Sequence, residues 1–162
     1  MKTLICTAAF TLAIAYFSPT VVYGNTINKA EMLPYITGTV SFPYRSRPSI
    51  ASYVRHTFRL QIPQNSPAVS QINIGVPDGL TVRNDINVYD RAGREIETKM
   101  SVNGNKVTLA FPQPVSPGTR LEIDMNNVRV LGVSNAWLYQ VSTKLVGVSV
   151  DIPLGVAQFR VY

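Results

Sequence analysis

Histidine is the first residue to consider for catalysis, and the chain contains a single one, His56. A serine hydrolase needs a histidine base held between its nucleophile and an orienting carboxylate. The sequence contains no Gly-x-Ser-x-Gly segment, which marks the nucleophile in one large class of these enzymes. His56 begins a predicted strand on the same face as Phe58, which is typical of a strand-end or rim residue. We therefore predict no catalytic residue and no enzymatic activity.

Metal ligands are sparse in the sequence. Zinc and copper sites need several histidine, cysteine or carboxylate ligands at compatible spacing, and beside His56 the chain has one cysteine, Cys6. Three aspartates could meet at one end of the fold and hold calcium through their oxygens: Asp78, Asp85 and Asp90. Turn formation is the favoured interpretation of all three. We predict neither a metal nor a cofactor.

Two pairs of carboxylates share predicted strand faces: Glu95 with Glu97, and Glu122 with Asp124. Glycoside hydrolysis uses two carboxylates about 5–9 Å apart across a cleft. Lys99 and Arg120 stand near these pairs, however, which favours ordinary cross-strand charge pairs. The carboxylates therefore add nothing to an enzymatic interpretation.

Basic residues indicate binding more strongly than catalysis. The chain has 15 basic and 9 acidic side chains, and four arginines fall close together: Arg45, Arg47, Arg55 and Arg59. A basic surface attracts nucleic acid, anionic polysaccharide or lipid headgroups, and nucleic acid is the least expected of these outside the cytoplasm. We predict no nucleic-acid partner. A surface that is merely soluble and basic is the simpler interpretation, and an anionic partner is the alternative.

The second candidate binding group is aromatic. Trp137 and Tyr139 fall on one face of a predicted strand with Val141. The favoured interpretation places Trp137 in the core of the domain. The alternative is an exposed aromatic platform for sugar rings or a partner chain, helped by the arginines, because aromatic residues and arginine anchor interfaces.

The amino terminus has the features of an export signal. Lys2 supplies a positive start, Leu4–Phe17 is almost unbroken apolar sequence, and cleavage is expected after Gly24. This apolar run is shorter than the roughly 20 residues that a membrane-spanning helix needs. A retained anchor is the competing interpretation. We predict a signal peptide over residues 1–24, no membrane span after its removal, and an extracytoplasmic location. Cys6 would leave with the signal.

Period-two alternation of apolar and polar residues runs through the rest of the chain. Successive side chains of a strand point to opposite faces, so each such segment has one face for a core and one for water. The apolar sets include Phe58, Leu60 and Ile62; Ile72, Ile74 and Val76; Val107, Leu109 and Phe111; and Leu121, Ile123 and Met125. Turns are predicted at Asn103-Gly104, as a tight hairpin, and at Asp90–Gly93. Seven to nine short strands predict an all-β, antiparallel β-sandwich, immunoglobulin-like in general architecture.

The domain organisation follows from these patterns. Residues 25–52 contain several prolines and tyrosines and alternate less clearly, which predicts an extended lead-in with an edge strand at Tyr35–Phe42. Residues 53–162 are the predicted sandwich domain, with one of its strands expected over Glu95–Val102.

Several turns and strands, read together, resemble a cyanobacterial family known as domain of unknown function 2808. Tyr53–Ser66 (YVRHTFRLQIPQNS) is similar to the family's aromatic strand with its I-P-x-N-S turn, and Phe111–Thr119 (FPQPVSPGT) to its F-x-P-P-V-x-P-G-T turn. Trp137–Ser142 (WLYQVS) resembles its Y-L-F-G-V-T strand, and Gly155–Tyr162 (GVAQFRVY) its closing G-x-G-R-I-x-F-Y. The Asn-Pro usual after the strand at Leu121–Arg129 is missing. The resemblance implies an exported β-domain of the cell envelope with no known activity.

Two functional hypotheses remain open at this point. The first is a non-enzymatic interaction module of the periplasm or cell surface that binds an unknown protein or envelope partner. The alternative is a carbohydrate- or anionic-glycan-binding module that uses aromatic and arginine side chains. The exposure of Trp137 and Tyr139 discriminates between them.

Overall fold

The computed structural model describes residues 32–43 and 52–161. Ten strands account for most of these residues: β1 (Tyr35–Phe42), β2 (Ser52–Gln61), β3 (Val69–Gly75), β4 (Leu80–Thr81), β5 (Ile86–Asp90), β6 (Lys99–Asn103), β7 (Lys106–Val115), β8 (Arg120–Val130), β9 (Ala136–Leu145) and β10 (Ile152–Arg160). No helix within the described ranges is long and apolar enough to cross a membrane.

The strands form two antiparallel sheets that pack on one core. The first sheet has the order β1-β2-β8, with both β4 and β5 on the far side of β8, and the second has the order β10-β9-β3-β7-β6. The predicted β-sandwich is thus confirmed. The strand β1 has the expected bounds and pairs with β2, so the sandwich extends upstream of Tyr53.

The core is built from the apolar faces that the alternation marks. Buried side chains from both sheets include Phe58, Leu60, Ile62, Ile72, Ile74, Val107, Leu109, Leu121, Ile123 and Met125. Burial of an aliphatic or aromatic side chain contributes roughly 1.5–3 kcal/mol, so this shared interior holds the two sheets together.

Two local predictions were shifted. The hairpin turn is Gly104-Asn105, because Asn103 pairs with Lys106 and Gly104 has a φ of 56°. This register places Val102 opposite Val107 on the inner face, and a slip of one residue would turn that face outward. The strand expected over Glu95–Val102 begins only at Lys99, and Glu95 instead forms an isolated bridge with Tyr89.

The two sheets approach each other at the edge strands β1 and β10. The hydroxyl of Thr39 in β1 donates a hydrogen bond to the carbonyl oxygen of Gln158 in β10, at 2.7 Å. This contact joins the sheets along one side of the sandwich.

Candidate interaction surface

The outer face of the first sheet carries the exposed residues of β2. Val54, His56 and Phe58 point into the core, whereas Tyr53 and Arg55 lie on the solvent side. Tyr53 is 47% exposed, although it is a large aromatic residue. Binding groups are therefore expected on this face of the sheet.

Two arginines stack on exposed aromatic rings at one end of this face. Arg55 lies over the ring of Phe42, its cross-strand partner in β1, at 5.6 Å from the centroid. Arg83, in the loop after β4, lies over the ring of Tyr53 at 5.8 Å. Phe42 is 62% exposed. Cation–π contacts of this kind attract a guanidinium to the face of a ring and leave its N–H groups able to donate hydrogen bonds.

A β-bulge lies beside these pairs. In the register between β2 and β8, Val54 faces Val128 and His56 faces Met125, so two residues of β8, Asn126 and Asn127, lie opposite Arg55 alone. Asn127 has a φ of 50°, the only positive φ of a residue other than glycine in the described ranges. Asparagine tolerates this left-handed conformation better than most residues, and bulges often re-aim side chains next to functional sites.

The bulge directs both amides onto one carboxylate. The side-chain nitrogens of Asn126 and Asn127 donate to Asp85, at 3.2 and 2.6 Å. Between these groups and the aromatic rings lies a hollow of about 360 Å³. We name it the bulge depression and define it by six residues: Phe42, Tyr53, Arg55, Asp85, Asn126 and Asn127.

Farther along the same face, arginines pair with carboxylates. Arg59 donates from Nε to Glu122 at 2.9 Å, and Arg55 lies 4.0 Å from Asp124, which also accepts a hydrogen bond from Thr57. Cross-strand charge pairs were expected for Glu122 and Asp124, although with different basic partners. Exposed pairs of this kind contribute about 0–1 kcal/mol each, so they organise the surface more than they stabilise it.

The sequence-predicted binding residues are only partly brought together. Arg55 and Arg59 share the outer face of β2, whereas Arg45 and Arg47 lie outside the described residues. Trp137 and Tyr139 are 6% and 0% exposed, on the inner face of β9. They belong to the core, the favoured interpretation, and form no exposed platform, because inward residues of β9 pack between the two sheets.

His56 is a core residue, and its expected position at a strand end or rim was wrong. It lies in the interior of β2, 2% exposed, and its Nδ1 shares a 2.7 Å hydrogen bond with the hydroxyl of Tyr139. Its ring stacks on Phe159 at 4.2 Å. Burial lowers the pKa of His56 to about 4 and raises the pKa of the Tyr139 hydroxyl. The imidazole is enclosed by aromatic rings and has no access to a substrate.

The aspartates considered as calcium ligands act in turns and loops. Asp78 accepts a hydrogen bond from Asn105, and Asp85 is held by the bulge amides. Asp90 accepts from the backbone nitrogens of Ala92 and Arg94 in its own turn. The hydrogen bond from the Arg94 backbone is the main reason that the pKa of Asp90 is lowered. In residues 32–43 and 52–161 no group of three potential metal ligands comes together.

Sequence reasoning missed most of the bulge depression, but a signal for it exists. The buried positions of β8 are Leu121, Ile123 and Met125, followed by Val128 and Val130. The step of three between Met125 and Val128 breaks the period of two, as one extra residue in a bulge requires. The two asparagines occupy that step.

The sequence and the fold of this protein resemble those of known proteins. The chain belongs to the family described as Protein of unknown function (DUF2808), whose model matches residues 42–148. The match includes the motifs at Tyr53–Ser66, Phe111–Thr119 and Trp137–Ser142, and it ends before the closing segment Gly155–Tyr162. A search of curated proteins found no match to the chain.

Solved structures share the sandwich. The chain is similar to the N-terminal domain of the adhesin Sgo0707 from Streptococcus gordonii (TM-score 0.57, 11% identity, covering 80% of this chain and 32% of that one). It is also similar to a 35 kDa C-terminal fragment of the major pilin GBS80 from Streptococcus agalactiae (0.55, 10%, 80% and 56%). A third similar structure is the bacterial hydrophobin BslA (0.55, 12%, 80% and 94%). These identities establish the fold alone, and the chain spans about a third of the Sgo0707 chain.

Proposed function

We propose that this protein is a non-enzymatic interaction module of the periplasm or cell surface, and that it binds its partner through the bulge depression. The observation that carries the proposal is the joint exposure of Phe42 and Tyr53 beside the left-handed residue Asn127. Large apolar side chains and left-handed backbone are both costly on a surface, and they concentrate at functional sites.

Three further observations support this proposal. The one histidine is enclosed in the core, and the carboxylates of β8 are engaged by arginine or threonine. The residues 1–24 have the pattern of an export signal. Solved structures with this fold include a domain of an adhesin and a fragment of a major pilin.

Carbohydrate binding is a second candidate function. The residues of the depression that favour it differ from the aromatic residues that the sequence suggested. The platform of Trp137 and Tyr139 does not exist on the surface, since both residues are buried. Phe42 and Tyr53 supply exposed rings instead, next to the amides and the carboxylate of Asn126, Asn127 and Asp85.

The proposal is tested by site-specific cross-linking in cells. A photoreactive phenylalanine analogue in place of Tyr53 should give one discrete adduct, because this side chain lies at the depression and is 47% exposed. The matched control carries the analogue in place of Leu138, which is 52% exposed on the second sheet. Adding Asn127→Gly, which keeps the left-handed backbone and removes the amide, should abolish the adduct.

The yields of adduct at positions 53 and 138 are compared. Equal adducts at positions 53 and 138, or an adduct at 53 that ignores Asn127→Gly, would mean that the depression is not the contact surface.

A further inference from the structure

The bulge depression has the size and chemistry of a site for a small ring. It is a shallow hollow of about 360 Å³, open to solvent, that can receive one ring. A protein interface would be a wide surface of roughly 800 Å² per partner, of which the depression would form only a part. The depression combines exposed rings with planar polar groups, so its occupant must offer both a C–H face and hydroxyl groups.

The polar groups of the depression supply donors and acceptors together. Asn126 and Asn127 donate to Asp85, and Asn126 also donates to Asn87 at 3.0 Å. The side-chain carbonyl oxygens of both asparagines, one N–H of Asn127 and the remaining lone pairs of Asp85 are left for a ligand. Sugar hydroxyls both donate and accept hydrogen bonds, so this mixture suits them better than a site lined by one kind of group.

Two arginines are available near the depression: Arg55 lines it, and Arg83 lies beside it over the ring of Tyr53. Arg55 has its nearest carboxylate, Asp124, at 4.0 Å, and its side chain is 47% exposed. Arg83 stacks on Tyr53, and no carboxylate within the described ranges forms an ion pair with it. Arg59, by contrast, is engaged by Glu122 at 2.9 Å. Guanidinium groups match carboxylate and sulfate geometry with two parallel hydrogen bonds.

The two arginine–aromatic pairs are also regularly placed. Tyr53 and Arg55 belong to different pairs and lie on one face of β2, about 7 Å apart along the strand, so the two pairs are neighbours on this face. Two neighbouring cationic sites suit a polymer that repeats an anionic group.

We propose that the bulge depression binds an acidic polysaccharide, a chain whose sugar rings carry carboxylate or sulfate groups. One ring lies against Phe42 and Tyr53, its hydroxyls bond to Asn126, Asn127 and Asp85, and the acidic groups pair with Arg55 and Arg83. This inference rests on the proposed function, in which the same depression is the contact surface.

Binding of purified polymers tests the inference. Polygalacturonate and dextran sulfate are the probes, and neutral dextran is the control polymer, each measured by affinity electrophoresis and calorimetry at 0.15 M salt. Wild-type protein should bind both acidic polymers and not dextran. The double variant Arg55→Ser/Arg83→Ser should bind at least about tenfold more weakly, a loss of roughly 1.4 kcal/mol.

Two control variants separate a built site from general attraction of a basic protein to polyanions. Lys99→Ser/Lys106→Ser removes the same charge from exposed positions of the second sheet, and its binding should change by less than about twofold. Arg55→Lys/Arg83→Lys keeps the charge but loses the planar guanidinium, and it should bind nearly as weakly as the serine pair. The melting temperature confirms that each variant is folded.

Each contrary outcome overturns the inference. Equal weakening by the two serine pairs, or full binding by the lysine pair, would mean unspecific charge attraction. If neutral dextran binds as tightly as the acidic polymers, the acidic groups play no part in recognition. If no polymer binds while the adduct at position 53 persists and contains a protein, the partner is a protein. The proposed function then stands, and only the inference fails. If no polymer binds and position 53 gives no adduct, both the inference and the proposed function are refuted.

Discussion

His56 is a polar residue that the core accommodates in its neutral form. Its neutral imidazole shares a hydrogen bond with the hydroxyl of Tyr139 and lies against the rings of Tyr139 and Phe159. A buried polar group is tolerated when it has such a partner, whereas a charged imidazole in the same place would be poorly solvated. Because the charged form is disfavoured only in the folded state, pH acts on stability through this residue.

We predict that the domain loses stability as the pH falls from about 6.5 towards 4. The folded pKa of His56 is about 4, against 6.5 for an ordinary histidine, so the unfolded chain binds more protons in this window. The free energy of unfolding is then highest above pH 6.5 and falls by about 3 kcal/mol down to pH 4, and the contribution of His56 levels off below that pH. Urea midpoints between pH 4 and 7.5 measure this.

The matched variant for this measurement is His56→Gln, which keeps a polar group but cannot become charged. Its stability should be lower than that of the wild type at pH 7.5 and much less dependent on pH in this window. An unchanged slope would assign the pH dependence to other groups.

The bulge in β8 shows what the sequence could and could not predict about an element. Faces of β2, β3, β7 and β8 follow from period-two alternation, since burial acts on every second residue. The position of His56 does not, because its partner Tyr139 is 83 residues away and only the packed sheets bring them together. The depression could be predicted only in part. The phase shift in β8 marks the bulge. Strand pairing and loop geometry, which periodicity does not encode, bring Phe42, Tyr53 and Arg83 near it.

The loop between β3 and β4 depends on a glycine. Gly79 has a φ of 86°, and a Cβ there would lie 3.1 Å from the ring of Trp137. Its carbonyl oxygen also accepts hydrogen bonds from the backbone nitrogens of Leu131 and Gly132, at 2.8 and 3.2 Å. The loop therefore has little room to rearrange around a larger residue.

We predict that Gly79→Ala lowers the free energy of unfolding by about 2 kcal/mol, because a left-handed residue with a side chain costs roughly 1–2 kcal/mol and the indole ring must also shift. Gly38→Ala is the control, since a Cβ there meets nothing within 4 Å. Urea unfolding, followed by fluorescence of Trp137, the only tryptophan, gives both values. Equal midpoints for the two variants would contradict the role assigned to Gly79.

At the scale of the whole molecule, the chain carries a net charge of +6 at pH 7 and a segment at its amino terminus with the pattern of an export signal. We predict that the protein isolated from its cells begins at or near Asn25. Amino-terminal sequencing of that material is the measurement. Recovery of a cytoplasmic form that begins at Met1 would contradict both the export and the envelope setting of the proposed function.

The hydrogen bond between Thr39 and Gln158 has a consequence for self-association. An exposed sheet edge is a template on which another chain can add strand by strand, the route to fibres and aggregates. Here β1 and β10 lie side by side, and residues 94–96 bond to the backbone of Val88 and Asp90 in β5. The remaining edge strands are β4, with two residues, and β6, which has five residues and begins with Lys99. Short length and lysine both discourage pairing. The sheet edges of the described residues therefore offer a neighbouring copy little free backbone on which to add a strand.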